Sequence, residues 1–211
     1  MKTFAFYVSG SAGRLKKLFD ISHEVLDYTL LVFTDSSSAR HIQADCVARK
    51  IDFVYFDYEQ ARIHTKRPNG ALSESLFEQL KKHSVDFCFS FGDNLLKGEL
   101  LKHYERRLIN FHPSLLPSFP GRLAINKAIG SEVALLGHTA HYIDEGIDTG
   151  KILCQLVVSK NEFLHYGMTG FLDLQLIMLD ALFCRLMEKP STQILPQGFF
   201  TEYSYILGIN E

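Results

Sequence analysis

Short apolar runs alternating with segments of helical period constrain the fold of this chain most. Thr3 to Ser9 (TFAFYVS) reads as a first strand. Thr29 to Thr34 (TLLVFT), Phe53 to Phe56, Val85 to Phe91 (VDFCFSF) and Arg107 to Phe111 follow. Runs without polar alternation suit strands covered on both faces. Between them, Arg14 to Ile21 can start a helix. Asp35 and Ser36 to Ser38 supply caps for a helix through about Lys50. Tyr58 to Gly70 reads as a polar loop, and Leu72 to His83 alternates at helical period. The pattern predicts an α/β fold, a Rossmann-like, mostly parallel sheet with helices on both faces. Such sheets place their sites at the C-terminal ends of strands. Gly92-Asp93-Asn94 and Asn110-Phe111-His112 both fall there.

After Pro120 the pattern changes. Ala124 to Ile129 reads as a short helix. His138 to Ile143 and Ile152 to Val158 read as a hairpin around a turn rich in Asp and Gly. A long helix from about His165 to Met187 follows, and the tail from Ser191 carries little signal. No linker divides the chain, so the expectation is one domain over residues 1–211. Within it, 1–120 is a nucleotide-binding-like half and 121–211 a smaller lobe.

Apolar residues make up 46% of the 211, enough for a substantial core. A net charge of -2 supplies no basic field for nucleic acid. Cys46, Cys88, Cys154 and Cys184 are far apart with no CxxC pair, so buried, reduced thiols are expected. The N-terminus is broken by Gly10 too soon for a signal peptide. Phe171 to Met187 is apolar but contains Asp173, Gln175, Asp180 and Arg185, which marks a core helix rather than a membrane span. The expectation is a cytoplasmic protein with no membrane partner.

Gly10-Ser11-Ala12-Gly13 follows the first strand and opens a helix, where backbone N–H groups can hold a phosphate or carboxylate. A tight strand-to-helix turn needs glycine anyway, and GxGxxG is absent. Asn110 and His112 share one face of an extended segment. An amide can hydrogen-bond an oxygen that gains charge, and an imidazole can move a proton near neutral pH. Pro113, Pro117 and Pro120 stiffen the backbone immediately afterwards, which favours a preset pair over an ordinary loop. Asp144, Glu145 and Asp148, with Gly146 and Gly150, form a turn without calcium-loop spacing. One of these carboxylates can turn towards His112; spacing alone does not say which. His138 and His141 point to opposite faces of a strand and make a poor metal pair.

NFHPSLLPSFPG followed by GHTAHYIDEGIDTGKI resembles the 10-formyltetrahydrofolate-dependent formyltransferase family, from the first strand to roughly Val158. The resemblance is greatest to members that formylate glycinamide ribonucleotide in purine synthesis. It implies that Asn110 steadies the oxyanion of the formyl carbon. It implies that His112 polarises that carbonyl and relays protons, and that Asp148 pairs with the histidine. It also implies a folate ring, as co-substrate and without metal, near Gly92, Asp93, Asn94, Leu95, Leu96, Ile143, Asp144 and Gly146, with Leu108 among the apolar cover. The acceptor would meet Gly10, Ser11, Ala12 and Gly13. Two departures concern the acceptor. The family's Gly-x-Gly-Ser-Asn turn is Gly10-Ser11-Ala12-Gly13-Arg14 here, and its late Glu-His pair is replaced around Gln175.

The expected activity is formyl transfer to a small-molecule amine by a monomer or homodimer. Glycinamide ribonucleotide is the first acceptor; a nucleotide-linked amino sugar or another metabolite amine is the alternative. Hydrolysis of the formyl donor, and a catalytically silent folate-binding protein, are the remaining readings. A dinucleotide-dependent oxidoreductase would need the missing GxGxxG.

Overall fold

A computed structural model describes residues 1–190 and the strand backbone at 205–207. The chain forms two compact units: residues 1–110 with 143–145, and 111–142 with 146–211.

The first unit is built on β1 (Phe4–Val8), every residue of which is buried. The chain continues through α1 (Gly13–Asp20), β2 (Thr29–Thr34), α2 (Gln43–Ala48) and β3 (Asp52–Tyr55). Next come α3 (Tyr58–His64), α4 (Pro68–Lys82), β4 (Phe87–Phe91), α5 (Glu99–His103) and β5 (Leu108–His112). β1 pairs in parallel with β2 and β4; β2 pairs with β3, and β4 with β5. The order is therefore β3-β2-β1-β4-β5. Alternation along β1 sends Phe4 and Phe6 to one face, against Phe89 and Phe91. Ala5 and Tyr7 face the other way, into a core with Leu31, Phe33, Leu72, Leu76 and Leu80. Covering both faces explains why these strands read as unbroken apolar runs. The chain leaves β1 for β2 on one side and reaches β4 on the other. Their C-terminal ends thus flank the switch point where such sheets bind ligands.

Three boundaries differ from expectation. The segment after Tyr58 is helical rather than a loop. Asp57 accepts the Gln60 N–H at 3.0 Å and starts α3, while Pro68 sits in the first turn of α4, where its missing N–H costs nothing. The helix expected after Ser36 begins as a 3-10 turn, Ser37–Ile42, before α2. The long late helix starts earlier and is broken.

In the second unit, α6 (Ala124–Ile129) precedes β6 (Leu135–Tyr142) and β7 (Ile152–Ser159), which pair antiparallel. α7 (Lys160–Asp173) and α8 (Gln175–Leu186) follow, and β8 (Tyr205–Leu207) pairs with β7. Ser159 and Glu162 form a reciprocal capping box that starts α7 five residues before the expected His165. Gly167, at φ 67°, then kinks it. The stretch Gly167–Leu186 is long and apolar enough to cross a membrane by composition, yet 56% of its most apolar window is buried within the protein. His138 donates from Nε2 to the Phe171 carbonyl at 2.7 Å and accepts at Nδ1 from Gln175 at 3.1 Å. Gln175 also donates to the Phe111 carbonyl at 3.0 Å. A neutral His138 satisfies both contacts, so it is a structural residue.

Candidate active site

The strongest polar constellation lies in the second unit and is assembled by three segments. β5 ends at His112, the turn after β6 carries Asp148, and β6 itself carries His141. Asp148 Oδ2 lies 3.2 Å from His112 Nδ1, and Oδ1 lies 3.5 Å from His141 Nε2. Both imidazoles are buried. Of the acids in the hairpin turn, Asp148 is the one whose carboxylate meets His112. Asp144 and Glu145 are exposed.

The proline-bearing loop supplies the remaining partners. His112 Nε2 donates to the Phe119 carbonyl at 3.0 Å. The Gly121 N–H donates to Asp148 Oδ2 at 2.7 Å. Ser114 bonds the Ser118 carbonyl at 2.7 Å, and Thr139 ties the loop to β6 through the Ser114 carbonyl and the Leu116 N–H. Gln155 adds a bond to the Leu116 carbonyl at 2.9 Å. The Leu116–Pro117 peptide is cis. Phe119 and Asp148 both adopt left-handed backbone, at φ 55° each. A non-glycine residue holds that conformation only where its surroundings over-determine it, and such strain concentrates at working sites.

Both nitrogens of His112 face oxygens that can only accept. Either neutral tautomer therefore leaves one ring lone pair against an oxygen; only the imidazolium satisfies both. Burial opposes that charge and is the largest effect, holding the pKa below the ordinary histidine value. The Phe119 carbonyl and Asp148 pull it back up. Burial likewise opposes the charge on Asp148. Donation from His141 and the Gly121 N–H, and the nearby His112, outweigh it and hold the carboxyl below its ordinary range. The result is an ionised carboxylate beside a buried imidazole that gives up a proton more readily than an ordinary histidine.

His141 was not singled out from the sequence beyond being a poor metal ligand. The missed signal was its position seven residues before Asp148, across the turn. Among the described residues, no group of three His, Cys, Asp or Glu side chains is arranged to hold a metal ion.

Asn110 lies two residues before His112 on β5, in register with Ser90 of β4. In the first unit, Gly10 and Ala12 adopt left-handed backbone at φ 60° and 52°. Gly10, Ser11 and Gly13 are exposed, and α1 begins with no side-chain cap. A helix start of this kind can receive an anion. Arg14 stacks its guanidinium 4.5 Å over the Phe91 ring. The Gly92-to-Leu96 segment follows β4, with Asp93 and Leu95 exposed and Gly92 and Asn94 half-buried. Leu96 and Leu108, expected to help cover a ligand, are buried in the core of this unit. Leu95 is the apolar side chain this loop leaves exposed, at 41%. Ile143 packs partly buried against the same core, and its N–H bonds the Leu108 carbonyl at 2.9 Å. Asp144 and Gly146 are exposed in the turn that follows.

Residues 2–161 match the family model described as formyl transferase. A phosphoribosylglycinamide formyltransferase from Bacillus subtilis (strain 168) is 33% identical over 165 residues, covering 77% of this chain and 82% of its own. A chloroplastic phosphoribosylglycinamide formyltransferase from Vigna unguiculata is 34% identical over 166 residues, covering 74% of this chain and 51% of its own. The crystal structure of a phosphoribosylglycinamide formyltransferase from Bacillus halodurans is similar with a TM-score of 0.63. It is 34% identical, covering 75% of this chain and 80% of that one.

Proposed function

Because the chain belongs to the formyl transferase family, we propose that it carries a formyl group from 10-formyltetrahydrofolate to the amine of glycinamide ribonucleotide. The observation that carries this reading is the His112–Asp148 pair, buried and braced at both ends by the backbone of one loop.

The chemistry follows from the groups present. The acceptor amine attacks the formyl carbon, a C–N bond forms, and the carbonyl oxygen gains negative charge. The Asn110 amide donates a hydrogen bond to that oxygen, and His112 shares with it the Nε2 proton that otherwise goes to the Phe119 carbonyl. The amine must lose a proton, and Asp148 with His112 gives it a path to the departing folate nitrogen. The C–N bond to that nitrogen then breaks as the nitrogen takes the proton. The folate lies against the Gly92-to-Leu96 loop and the Ile143-to-Gly146 turn. The acceptor phosphate rests on the turn from Gly10 to Gly13, against the N-terminal end of a helix, which favours an anion. No metal takes part. Four buried cysteines outside any disulfide fit a reducing cytoplasm.

The test is mass spectrometry of a reaction containing the protein, 10-formyltetrahydrofolate and glycinamide ribonucleotide. A product heavier by one formyl group, lost in His112→Ala, is expected. No product, with amino-sugar nucleotides formylated instead, would discard the acceptor and keep the donor. No product with any amine would sink the reading.

A further inference from the structure

The proposed catalysis leaves unused a second buried polar network, at the mouth of the first unit. Asp35 follows β2 and is only 8% exposed. Its Oδ2 accepts three hydrogen bonds: from the Tyr7 hydroxyl at 2.5 Å, the Ser9 hydroxyl at 3.0 Å and the Asn94 amide at 2.8 Å. Its other oxygen, Oδ1, accepts none from the described residues. Oδ1 is not sealed off either; among those residues the one fully enclosed, unpartnered side-chain oxygen is Gln79 Oε1. Asp35 is thus saturated on one side and open on the other.

The three donors also fix its aim. Tyr7 is wholly buried, and Gly92 lies against its ring so closely that a side chain would overlap it. Burial, and then the charge of Asp35, raise the tyrosine pKa well above its ordinary value, so its hydroxyl stays a donor. Ser9 accepts the Asp93 N–H at 3.0 Å while donating to Asp35. A carboxylate held this way cannot swing its free oxygen back into the protein. Fixing one acceptor with three donors, one buried and two half-buried, is more than packing requires, since an apolar side chain would fill the place without desolvating a charge.

Position supplies the ligand chemistry. Ser9, bonded to Asp35, is the residue immediately before Gly10, so Asp35 stands beside the turn that leads into α1, which carries no side-chain cap. In doubly wound sheets, an acid at the end of the second strand takes a hydroxyl of the sugar whose phosphate rests on the first strand-to-helix turn. We propose that Asp35 is the specificity residue for the acceptor's sugar, its Oδ1 accepting a hydrogen bond from a pentose hydroxyl. This rests on the phosphorylated acceptor proposed above. Gln175, in the late helix, is committed to Phe111 and His138 and is not available for that task.

The experiment compares glycinamide ribonucleotide with its 2′-deoxy and 3′-deoxy counterparts, using the wild type, Asp35→Asn and Ser9→Ala. In the wild type, one deoxy substrate loses about ten- to a hundredfold in kcat/KM, the effect of a hydrogen bond to a charged group. In Asp35→Asn the three donors hold the amide oxygen inward, which turns the NH2 outward and replaces the acceptor by a donor. That variant loses a similar factor on the natural substrate, and its preference over the deoxy substrate shrinks to within about threefold. A wild type indifferent to both deoxy substrates overturns the proposal, as does an Asp35→Asn variant that discriminates as the wild type does. Should Asp35→Asn fail to fold by thermal melting, Ser9→Ala, which keeps the carboxylate but frees its aim, must narrow the preference; an unchanged preference overturns the proposal. Absence of wild-type turnover with glycinamide ribonucleotide would instead refute the acceptor reading.

Discussion

Asp148→Asn separates the charge of this residue from its shape. The amide is isosteric, and each hydrogen bond has a counterpart. Its oxygen can keep the Gly121 N–H and take the Nδ1–H of His112, which stand 2.7 Å and 3.2 Å from Oδ2. Its NH2 can donate to His141 Nε2, whose other nitrogen donates to the Tyr142 carbonyl at 2.8 Å. Because each contact of the carboxylate keeps a counterpart, the stability cost at neutral pH should stay within about 2 kcal/mol. The charge is lost outright. Two unit charges at about 4 Å and an effective dielectric of ~20 attract by about 4 kcal/mol, which is the stabilisation an imidazolium forming at His112 would forgo. That converts to a drop in kcat of about a hundred- to a thousandfold. The assay is steady-state formyl transfer beside thermal melting. A variant that melts normally and keeps kcat within about tenfold would refute the role given to the carboxylate. Melting against pH adds a second check. The pKa of Asp148 is lowered in the fold, so its stabilisation is present above the ordinary aspartate value near 3.9. It is lost as pH falls through the lowered value. The melting points of wild type and variant should therefore converge as pH falls below about 3.9. The pKa of His112 is also lowered, chiefly by burial. Its part of the acid destabilisation begins as pH falls through about 6.5 and remains in the variant.

Three further outcomes follow from packing and burial. Gly92→Ala would place a Cβ 2.1 Å from the Tyr7 ring, which is buried and tied to Asp35, so melting should show a loss of about 1–3 kcal/mol or more. Gln175→Leu would leave the buried Phe111 carbonyl and His138 Nδ1 without their donor; a loss of about 1–3 kcal/mol in denaturant melts is expected, and none would show that the network is dispensable. Burial pushes the thiols of Cys46, Cys88 and Cys154 up to about 12, so a disulfide exchange reagent at pH 8 should modify them only after denaturant is added.

The parallel sheet was legible because its signal is coarse. TLLVFT and VDFCFSF can be apolar throughout only where both faces are covered. What escaped were local decisions made by single hydrogen bonds. Asp57 and Pro68 turned an apparent loop into two helix starts, and the Ser159–Glu162 box moved a helix boundary five residues. At the site, the polar sequence Asn110-Phe111-His112 announced itself. Asp148 was separable from Asp144 and Glu145 only through family resemblance, because which acid turns inward depends on a left-handed backbone at Asp148 that spacing does not encode. His141 and the Asp35 network were missed for a related reason. Each residue looks ordinary alone, and its partners lie on strands distant in sequence.

The three prolines after His112 take on a fuller meaning in the fold. Rigidity alone would explain a fixed histidine. The loop they stiffen does more, because its backbone returns to the pair it follows. The Phe119 carbonyl meets one nitrogen of His112 and the Gly121 N–H meets one oxygen of Asp148, at opposite ends of the same couple. The carbonyl favours a protonated imidazole and the N–H favours an ionised carboxylate, so one loop biases both partners towards the charged state that burial opposes. Reaching both from positions two residues apart requires a sharp reversal. Left-handed conformations at Phe119 and Gly121, φ 55° and 76°, supply it. Glycine adopts that conformation freely, whereas phenylalanine does so at a cost of order 1–3 kcal/mol. The bonds from Ser114, Thr139 and Gln155 into the same loop oppose that cost, and they leave the His112–Asp148 pair set before any substrate arrives.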